Sequence, residues 1–246
     1  MRTALGSWLG SLAALGATAL ASPAGAGGFS LAVAADGVDV GSYYDSQLGC
    51  SSTGDTTLRC AGSNLVIQTA AGGLRLDSWD IHVDGDPVVS GPVVVTNLAG
   101  VTQQFTFTFT LPTVVGPASL TGGSVQGGMT DGMGGGVTLS TAPGSAFYTA
   151  LIDGANYQQL YADPQSFSAG NFLSGNVPAL AFGTPIPSQP GPAVTTSIGI
   201  RLDFLLTSQD QASFTSNFVV VPVPEPGTAA LFGVGLLALA FRARRR

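Results

Sequence analysis

The 246-residue chain contains no lysine, and its single histidine is His82. Without lysine the chain has neither a Schiff-base nucleophile nor the cation of a Walker-type phosphate loop. A serine–histidine–aspartate triad would have to use His82, and no G-x-S-x-G motif supplies its serine. Zinc sites built from cysteine and histidine fail for the same shortage of ligands. These absences predict a protein that is not an enzyme.

Basic residues are scarce in the body of the chain. Between residues 27 and 221 there are three arginines, Arg59, Arg75 and Arg201, against thirteen aspartates, which leaves a charge of about −10. A surface with this charge repels phosphate backbones and other anionic polymers. We therefore expect no nucleic-acid partner.

Cysteine is equally rare, with only Cys50 and Cys60 in the chain. They enclose a polar segment of hairpin size, and neither a C-x-x-C spacing nor a third ligand points to redox or metal chemistry. For a chain that reaches an oxidising compartment, the pair predicts a disulfide.

The first 26 residues have the layout of a secretory signal peptide. Arg2 precedes an apolar stretch from Trp8 to Leu20, and two triplets of small residues follow, ending at Ala21 and Ala26. Such triplets fit the cleft of the signal peptidase. We predict cleavage after Ala26, with Ala21 as second choice. A first transmembrane helix is the disfavoured alternative, because proline and glycine end the apolar run early.

Residues 222–246 form a second segment of distinct composition. Pro222, Pro224 and Pro226 precede an uncharged stretch from Gly227 to Phe241. Proline cannot continue a helix, so the apolar helix is expected to begin at about Gly227. About fifteen residues at ~1.5 Å each span roughly 22 Å, short of the ~30 Å hydrocarbon core. This length fits a transient membrane anchor better than a permanent one.

A basic cluster follows the apolar stretch. It consists of Arg242, Arg244, Arg245 and Arg246. The positive-inside rule keeps such a cluster in the cytoplasm. The body of the chain is therefore expected on the opposite side of the inner membrane.

This C-terminal segment resembles the PEP-CTERM sorting signal of exported bacterial proteins. Pro224, Glu225 and Pro226 match the motif that names the family, and the apolar stretch and arginine cluster follow in the family's order. The resemblance implies a Gram-negative producer of exopolysaccharide. It also implies processing by exosortase, a transpeptidase-like membrane enzyme, and association with the envelope, a biofilm or the extracellular matrix. An ordinary membrane anchor after a proline linker is the alternative.

Residues 27–221 are enough for one domain with a substantial core. Val, Thr, Phe, Ser and Gly dominate, and apolar residues recur with the period of two that is typical of β-strands. The clearest runs are Val101–Leu111 and Ile198–Leu206. We predict an all-β fold, a single β-sandwich with an Ig-like or fibronectin-like pattern and long Gly/Pro-rich loops. A signal helix and a C-terminal apolar helix would flank it.

Four segments carry local predictions. A β-bulge near Asp77 would place the apolar residues of Leu74–Val83 on one face. Residues 97–100 predict a hairpin loop between two neighbouring strands. Residues 145–160 predict a short helix or an irregular crossover, and the proline-rich stretch 178–192 predicts an extended loop.

The densest polar cluster lies in and after one predicted strand. Asp80, His82 and Asp84 would share one face of the strand, and Asp86 follows in a turn. The spacing lacks the pattern of a calcium loop, so we favour a solvated outer face and assign no metal. Asp80, Asp84 and Asp86 are the calcium candidates if the turn folds them together.

Residues 122–136 hold eight glycines together with Met129 and Met133. Without lysine or a following helix this segment does not match a phosphate site. It predicts a flexible loop that is free to contact a partner.

These patterns together predict an exported, non-enzymatic protein with a structural or interaction role at the cell surface or in the extracellular matrix. The alternative is a polysaccharide-binding module, with or without help from calcium.

Overall fold

The structure is a computed structural model that describes residues 28–54 and 56–223. Within these residues no helix is long and apolar enough to cross a membrane. The predicted signal helix and C-terminal apolar helix lie outside them. The regular elements described are sixteen strands: β1 (Ser30–Ala35), β2 (Val38–Tyr44), β3 (Cys50–Ser52), β4 (Thr57–Ile67), β5 (Leu74–Asp84), β6 (Val88–Asn97), β7 (Gln103–Pro112), β8 (Ser119–Thr130), β9 (Val137–Ser140), β10 (Ala146–Ile152), β11 (Ala155–Ala162), β12 (Ser166–Ala169), β13 (Ser174–Phe182), β14 (Gln189–Gly191), β15 (Ser197–Leu206) and β16 (Gln211–Pro222).

The strands form two antiparallel sheets. The first has the order β11-β10-β15-β7-β1-β2, with β9 paired to β15 and β12 paired to β9. The second has the order β13-β8-β16-β6-β5-β4-β3, with β14 paired to β8. The predicted all-β sandwich is confirmed. Sixteen strands exceed the seven to nine of an immunoglobulin domain, and the finer Ig-like or fibronectin-like likeness stays a prediction.

The core lies where the two alternating runs of the sequence face the second sheet. β7 buries Phe105, Phe107 and Phe109, and its neighbour β15 buries Phe204. The Phe204 ring centroid lies 4.8 Å from that of Phe214 on β16, in the opposite sheet. Burial of a side chain of this size stabilises the fold by about 1.5–3 kcal/mol, so this cluster joins the two sheets firmly.

β5 contains the predicted β-bulge. Its pairing with β6 shifts register between Leu76 and Ser78, and the shift returns Trp79 to the core face. The Trp79 indole N–H donates to the Leu48 carbonyl oxygen at 2.9 Å. The bulge prediction is therefore confirmed.

The hairpin predicted at residues 97–100 is wrong. β6 lies in the second sheet and β7 in the first, so the short loop carries the chain from one sheet to the other. The buried amide of Asn97 donates to the carbonyl oxygens of Val101 at 2.9 Å and Leu206 at 3.0 Å. Both β6 and β7 present an apolar face to the same core. This pattern alone does not distinguish two strands paired within one sheet from two strands that face each other in opposite sheets.

Three segments predicted as loops or a helix form strands in whole or in part. Residues 145–160 form β10, a turn at Asp153-Gly154 and most of β11, because this dipeptide favours tight hairpin turns. β8 takes in the first four glycines of segment 122–136. β13 and β14 contain Pro178 and Pro190, which are tolerated because both strands pair on one side only, with β8.

β16 defines the two ends of the sandwich. It runs from Gln211 to Pro222, one residue past the predicted domain boundary, and at ~3.3 Å per residue spans roughly 36 Å. Just beyond it, the Val223 N–H donates to the Ala118 carbonyl oxygen at 3.0 Å. We call the end that contains Pro222 the proximal end, and the end that contains Gln211 the distal end.

Candidate functional site

The acidic row of β5 lies on the outer face of the second sheet, as predicted. Arg59 on β4 reaches across and binds Asp80 with two hydrogen bonds of 2.7 Å, from Nε to Oδ1 and from Nη2 to Oδ2. These hydrogen bonds lower the pKa of Asp80 below its usual range. His82 Nε2 lies 3.5 Å from Asp80 Oδ1 and is more than half exposed. Both oxygens of Asp80 are thus already occupied.

Asp84 ends β5, and Asp86 lies in the turn that follows. Asp84 Oδ1 accepts hydrogen bonds from the Thr56 hydroxyl at 3.0 Å and from the Asp86 N–H at 3.2 Å. Residues 28–54 and 56–223 contain no group of three His, Cys, Asp or Glu side chains placed to hold a metal ion. Asp80 therefore does not converge with the other two calcium candidates, and a role for calcium stays a prediction.

The predicted disulfide between Cys50 and Cys60 is present. The two cysteines face each other across the pairing of β3 with β4, and Cys60 is fully buried. The bond fixes the short edge strand β3 to the second sheet.

Four loops meet at the distal end, and we call them the distal loops. They comprise residues 98–102, 131–136, 170–173 and 207–210. They follow β6, β8, β12 and β15 and lead into β7, β9, β13 and β16. Both sheets therefore contribute to this surface.

Asp131 holds two of the distal loops together. Its carboxylate accepts the N–H groups of Met133 (3.1 Å), Gly134 (2.9 Å) and Gly136 (3.0 Å) in its own loop. It also accepts the N–H of Phe172 at 2.6 Å from the next loop. Burial by itself would raise the pKa of Asp131, but the four backbone donors outweigh it and hold that pKa well below its usual range.

Asp210 fixes a third distal loop. Its buried carboxylate accepts the Gly132 N–H at 3.0 Å and the Thr207 hydroxyl. The side-chain amide of Gln209 donates to the carbonyl oxygens of Leu98 at 2.7 Å and Ala99 at 3.1 Å, which are in the fourth loop. All four distal loops are therefore cross-connected by hydrogen bonds.

Three of the four distal loops, residues 98–102, 131–136 and 207–210, line an open depression of about 530 Å³. Glycine backbone and hydroxyl side chains make up much of its lining, namely Gly100, Gly134, Gly135, Gly136, Thr102, Thr207 and Ser208. Val101 and Met133 add two exposed apolar side chains. This is the mixed apolar and hydrogen-bonding lining that small-molecule sites share.

Phe172 lies beside this depression in an unusual conformation. Its φ of +56° is in the left-handed region, which bulky side chains rarely adopt and which stores about 1–3 kcal/mol of strain. The side chain is nevertheless 74% exposed. A Cβ on Gly134 would collide with the phenyl ring, so only glycine permits this close approach.

The sequence predictions missed this site. They treated residues 122–136 as one flexible loop, whereas β8 continues to Thr130 and Asp131 then organises a rigid turn. The available signal was an aspartate followed closely by glycines, since aspartate commonly accepts hydrogen bonds from the N–H groups just after it. Phe172 carried no local signal, because its exposure depends on contacts distant in the sequence.

A smaller depression of about 360 Å³ lies on the outer face of the second sheet. It is uncharged, and its lining consists of Gln126, Gly127, Gly128, Asn176, Ser213 and Thr215. No aromatic side chain lines it.

Comparison with protein-family models identifies the segment that follows this domain. Residues 222–246 match the model for the PEP-CTERM protein-sorting motif. The chain carries a PEP-CTERM sorting motif. This motif implies export, sorting to the envelope or surface, and processing by exosortase. Its sorting residues Pro224, Glu225 and Pro226, and its arginine cluster, lie outside the described residues.

No curated protein matches the chain. Among solved structures, TmCBM61 in complex with β-1,4-galactotriose is similar over 59% of this chain and 88% of its own, at 14% identity and a TM-score of 0.21. A likeness this low carries no argument about the fold or the ligand of this chain.

Proposed function

We propose that the chain is a non-enzymatic surface or extracellular-matrix protein, with a structural or interaction role in the envelope or a biofilm. Exosortase would process its tail at the inner membrane. The observation that carries the proposal is the PEP-CTERM motif at residues 222–246. A sorting motif determines the destination of the whole chain. The β-sandwich is therefore the cargo, meaning the domain that is delivered.

The junction between the β-sandwich and the sorting motif supports separate roles for the two segments. β16 pairs with β8 along its whole length up to Pro222, and with β6 from Gln211 to Val219. The hydrogen bond from Val223 to Ala118 is the last contact of the described chain, and Pro224 follows directly. The sandwich is therefore complete before the Pro-Glu-Pro sequence begins, and removal of the tail would leave the fold intact.

The polar chemistry of the sandwich supports a role without catalysis. Apart from Asp80 at 3.5 Å, His82 has no polar side-chain partner among the described residues, and Asp80 is already engaged by Arg59. The strongly held carboxylate of Asp131 is surrounded by backbone donors that stabilise a loop. Each of these groups has a structural explanation.

Polysaccharide binding is the second candidate function. Exposed Phe172 beside the distal depression favours it, because the pair offers an aromatic face next to hydrogen-bonding groups. Calcium bound through Asp80, Asp84 and Asp86 is not needed for binding at this end of the sandwich.

The sorting proposal predicts that deletion of Pro224–Arg246 releases the protein from the envelope. Cells that produce the full chain or the truncated chain are fractionated, and the protein is detected by immunoblot. We expect the full chain in the envelope fraction and the truncated chain in the soluble periplasm. A full chain with Phe172→Ala is the control and should fractionate like the wild type. Identical fractionation of truncated and full chains contradicts the proposal.

A further inference from the structure

We propose that the distal loops form a binding site for a neutral polysaccharide, with the Phe172 ring as the surface on which a sugar ring stacks. This inference deepens the proposed function, because it rests on delivery of the protein to a polysaccharide-containing surface or matrix. The site comprises Phe172, the depression next to it and the hydroxyl groups of Thr102 and Ser208.

Phe172 is presented rigidly at the surface. A side chain that is 74% exposed gains little from the core, yet its backbone is held in the left-handed region by the 2.6 Å hydrogen bond to Asp131. Strained residues that the surrounding structure enforces are concentrated at binding sites. Phe172 is therefore fixed before a ligand arrives, which reduces the entropy lost on binding.

The groups next to the Phe172 ring suit a sugar. A pyranose has an apolar face of C–H groups and a rim of hydroxyls, so it needs an aromatic surface and nearby hydrogen-bonding groups. The depression supplies the hydroxyl of Thr102 and, as an acceptor, the hydroxyl oxygen of Ser208, whose hydrogen is donated to the Ala99 carbonyl oxygen at 3.0 Å. It also supplies open backbone at Gly135, where a side chain would meet no atom within 4 Å. Its volume of about 530 Å³ is within the ~300–1,000 Å³ range of small-molecule sites.

The charge of the depression favours a neutral ligand. Asp131 and Asp210 line the depression, and no arginine or histidine does. An anionic polymer would therefore be repelled. The oxygens of Asp131 already accept four N–H groups, and those of Asp210 accept Gly132 and Thr207, so neither carboxylate is free to take a cation. A neutral ligand fits best.

The distal loops lie far from the start of the sorting segment. The PEP-CTERM segment leaves the sandwich at the proximal end, and β16 separates that end from the distal loops by roughly 36 Å. A site at the distal end remains accessible while the chain is attached through its tail. The smaller depression on the second sheet lacks an aromatic side chain and is the weaker candidate.

The test is affinity electrophoresis of the purified full-length protein in native gels. The gels contain hydroxyethyl cellulose, galactomannan or dextran as neutral probes, and alginate as an anionic probe. We expect retardation by at least one neutral probe and none by alginate. Phe172→Ala should weaken the apparent affinity at least tenfold, as truncation of a central aromatic contact commonly does. Phe172→Tyr should keep most of it.

Two control variants test whether the loss of affinity is specific to the distal loops. Tyr44→Ala removes an exposed aromatic side chain at the proximal end, and Gln126→Ala alters the smaller depression. Both should bind like the wild type, and thermal unfolding of each variant verifies the fold.

The inference is overturned if no neutral probe retards the wild type, or if folded Phe172→Ala binds unchanged. Loss of binding in Gln126→Ala alone would place the site on the second sheet and equally overturn it. A third outcome is that no probe retards the wild type, that the wild type self-associates, and that Phe172→Ala abolishes this self-association. The distal surface would then be a protein interface, and the inference would again be overturned. The fractionation result does not depend on any of these outcomes, so the two proposals can fail separately.

Discussion

At the scale of single residues, Asp131 shows how one side chain can organise a surface. Four backbone N–H groups from two loops point at its carboxylate, and these donors have no other partner as favourable as an ionised oxygen. Asp153 does the same elsewhere, accepting hydrogen bonds from Thr195 and Thr196. The Thr195 hydroxyl, followed by the Thr196 N–H, holds the pKa of Asp153 well below its usual range.

We predict that Asp131→Asn lowers the thermal midpoint of unfolding at pH 7. The asparagine NH₂ group would face N–H donors, and at least one of them would lose its acceptor. Because the pKa of Asp131 is lower in the folded than in the unfolded chain, its carboxylate stabilises the fold fully above the unfolded pKa of roughly 3.9. That contribution is lost as the pH falls below this value.

Thermal unfolding of wild type and variant across pH 2–8 measures this effect. The difference between their midpoints should be largest above pH 5 and shrink toward pH 2. Asp39→Asn is the control, since this exposed carboxylate on β2 accepts no hydrogen bond from the described residues. A difference that stays constant with pH would show that the loop does not depend on the charge of Asp131.

Residue roles that depend on local sequence were predictable, and those that depend on distant contacts were not. The parity of β5 was enough to place Trp79 in the core and Asp80 outside. The role of Phe172 depends on Asp131, 41 residues away, and on a glycine that leaves room for its ring. The residue pattern along one strand contains no information about contacts between loops that are distant in the sequence.

At the scale of elements, the β3–β4 hairpin depends on its disulfide. β3 has three residues, lies at the edge of the second sheet and is partly to fully exposed, so it buries little apolar surface of its own. A disulfide between positions ten apart restricts the unfolded chain instead of adding contacts to the folded one.

We therefore predict that Cys50→Ala/Cys60→Ala lowers the free energy of unfolding by about 3 kcal/mol, following the loop-closure entropy. Urea denaturation of the purified protein measures the change. Dithiothreitol should lower the stability of the wild type by a similar amount and leave the double variant unaffected. Equal stability of wild type and variant without reductant would mean that β3 is held by other contacts.

Element types followed the sequence wherever alternation was strong and failed where glycine or proline interrupted it. β7 and β15 were predicted almost to the residue, because large apolar side chains alternate along both. β13 was missed and β8 was predicted only over Ser119–Gln126, since glycine and proline are rare in isolated strands. β8 is flanked by β16 and β13, and this pairing overrides the weak local preference of its glycines.

At the scale of the whole molecule, the sequence separates an acidic cargo from a basic tail. The net charge of −6 combines a body near −10 with arginines at the two ends. The structure places the start of the tail and the distal loops at opposite ends of the sandwich, so sorting and interaction would use different parts of the chain. The central claim is that the PEP-CTERM segment directs this sandwich to the cell surface or matrix.

The most direct test replaces Pro224, Glu225 and Pro226 with alanine and keeps the apolar stretch and the arginines. Intact cells are labelled with an antibody against the β-sandwich, and total protein is quantified in parallel lysates. The account predicts surface or matrix labelling of the wild type and its loss in the variant, at equal total protein. Equal labelling of both would contradict the account, because an ordinary apolar anchor would then suffice.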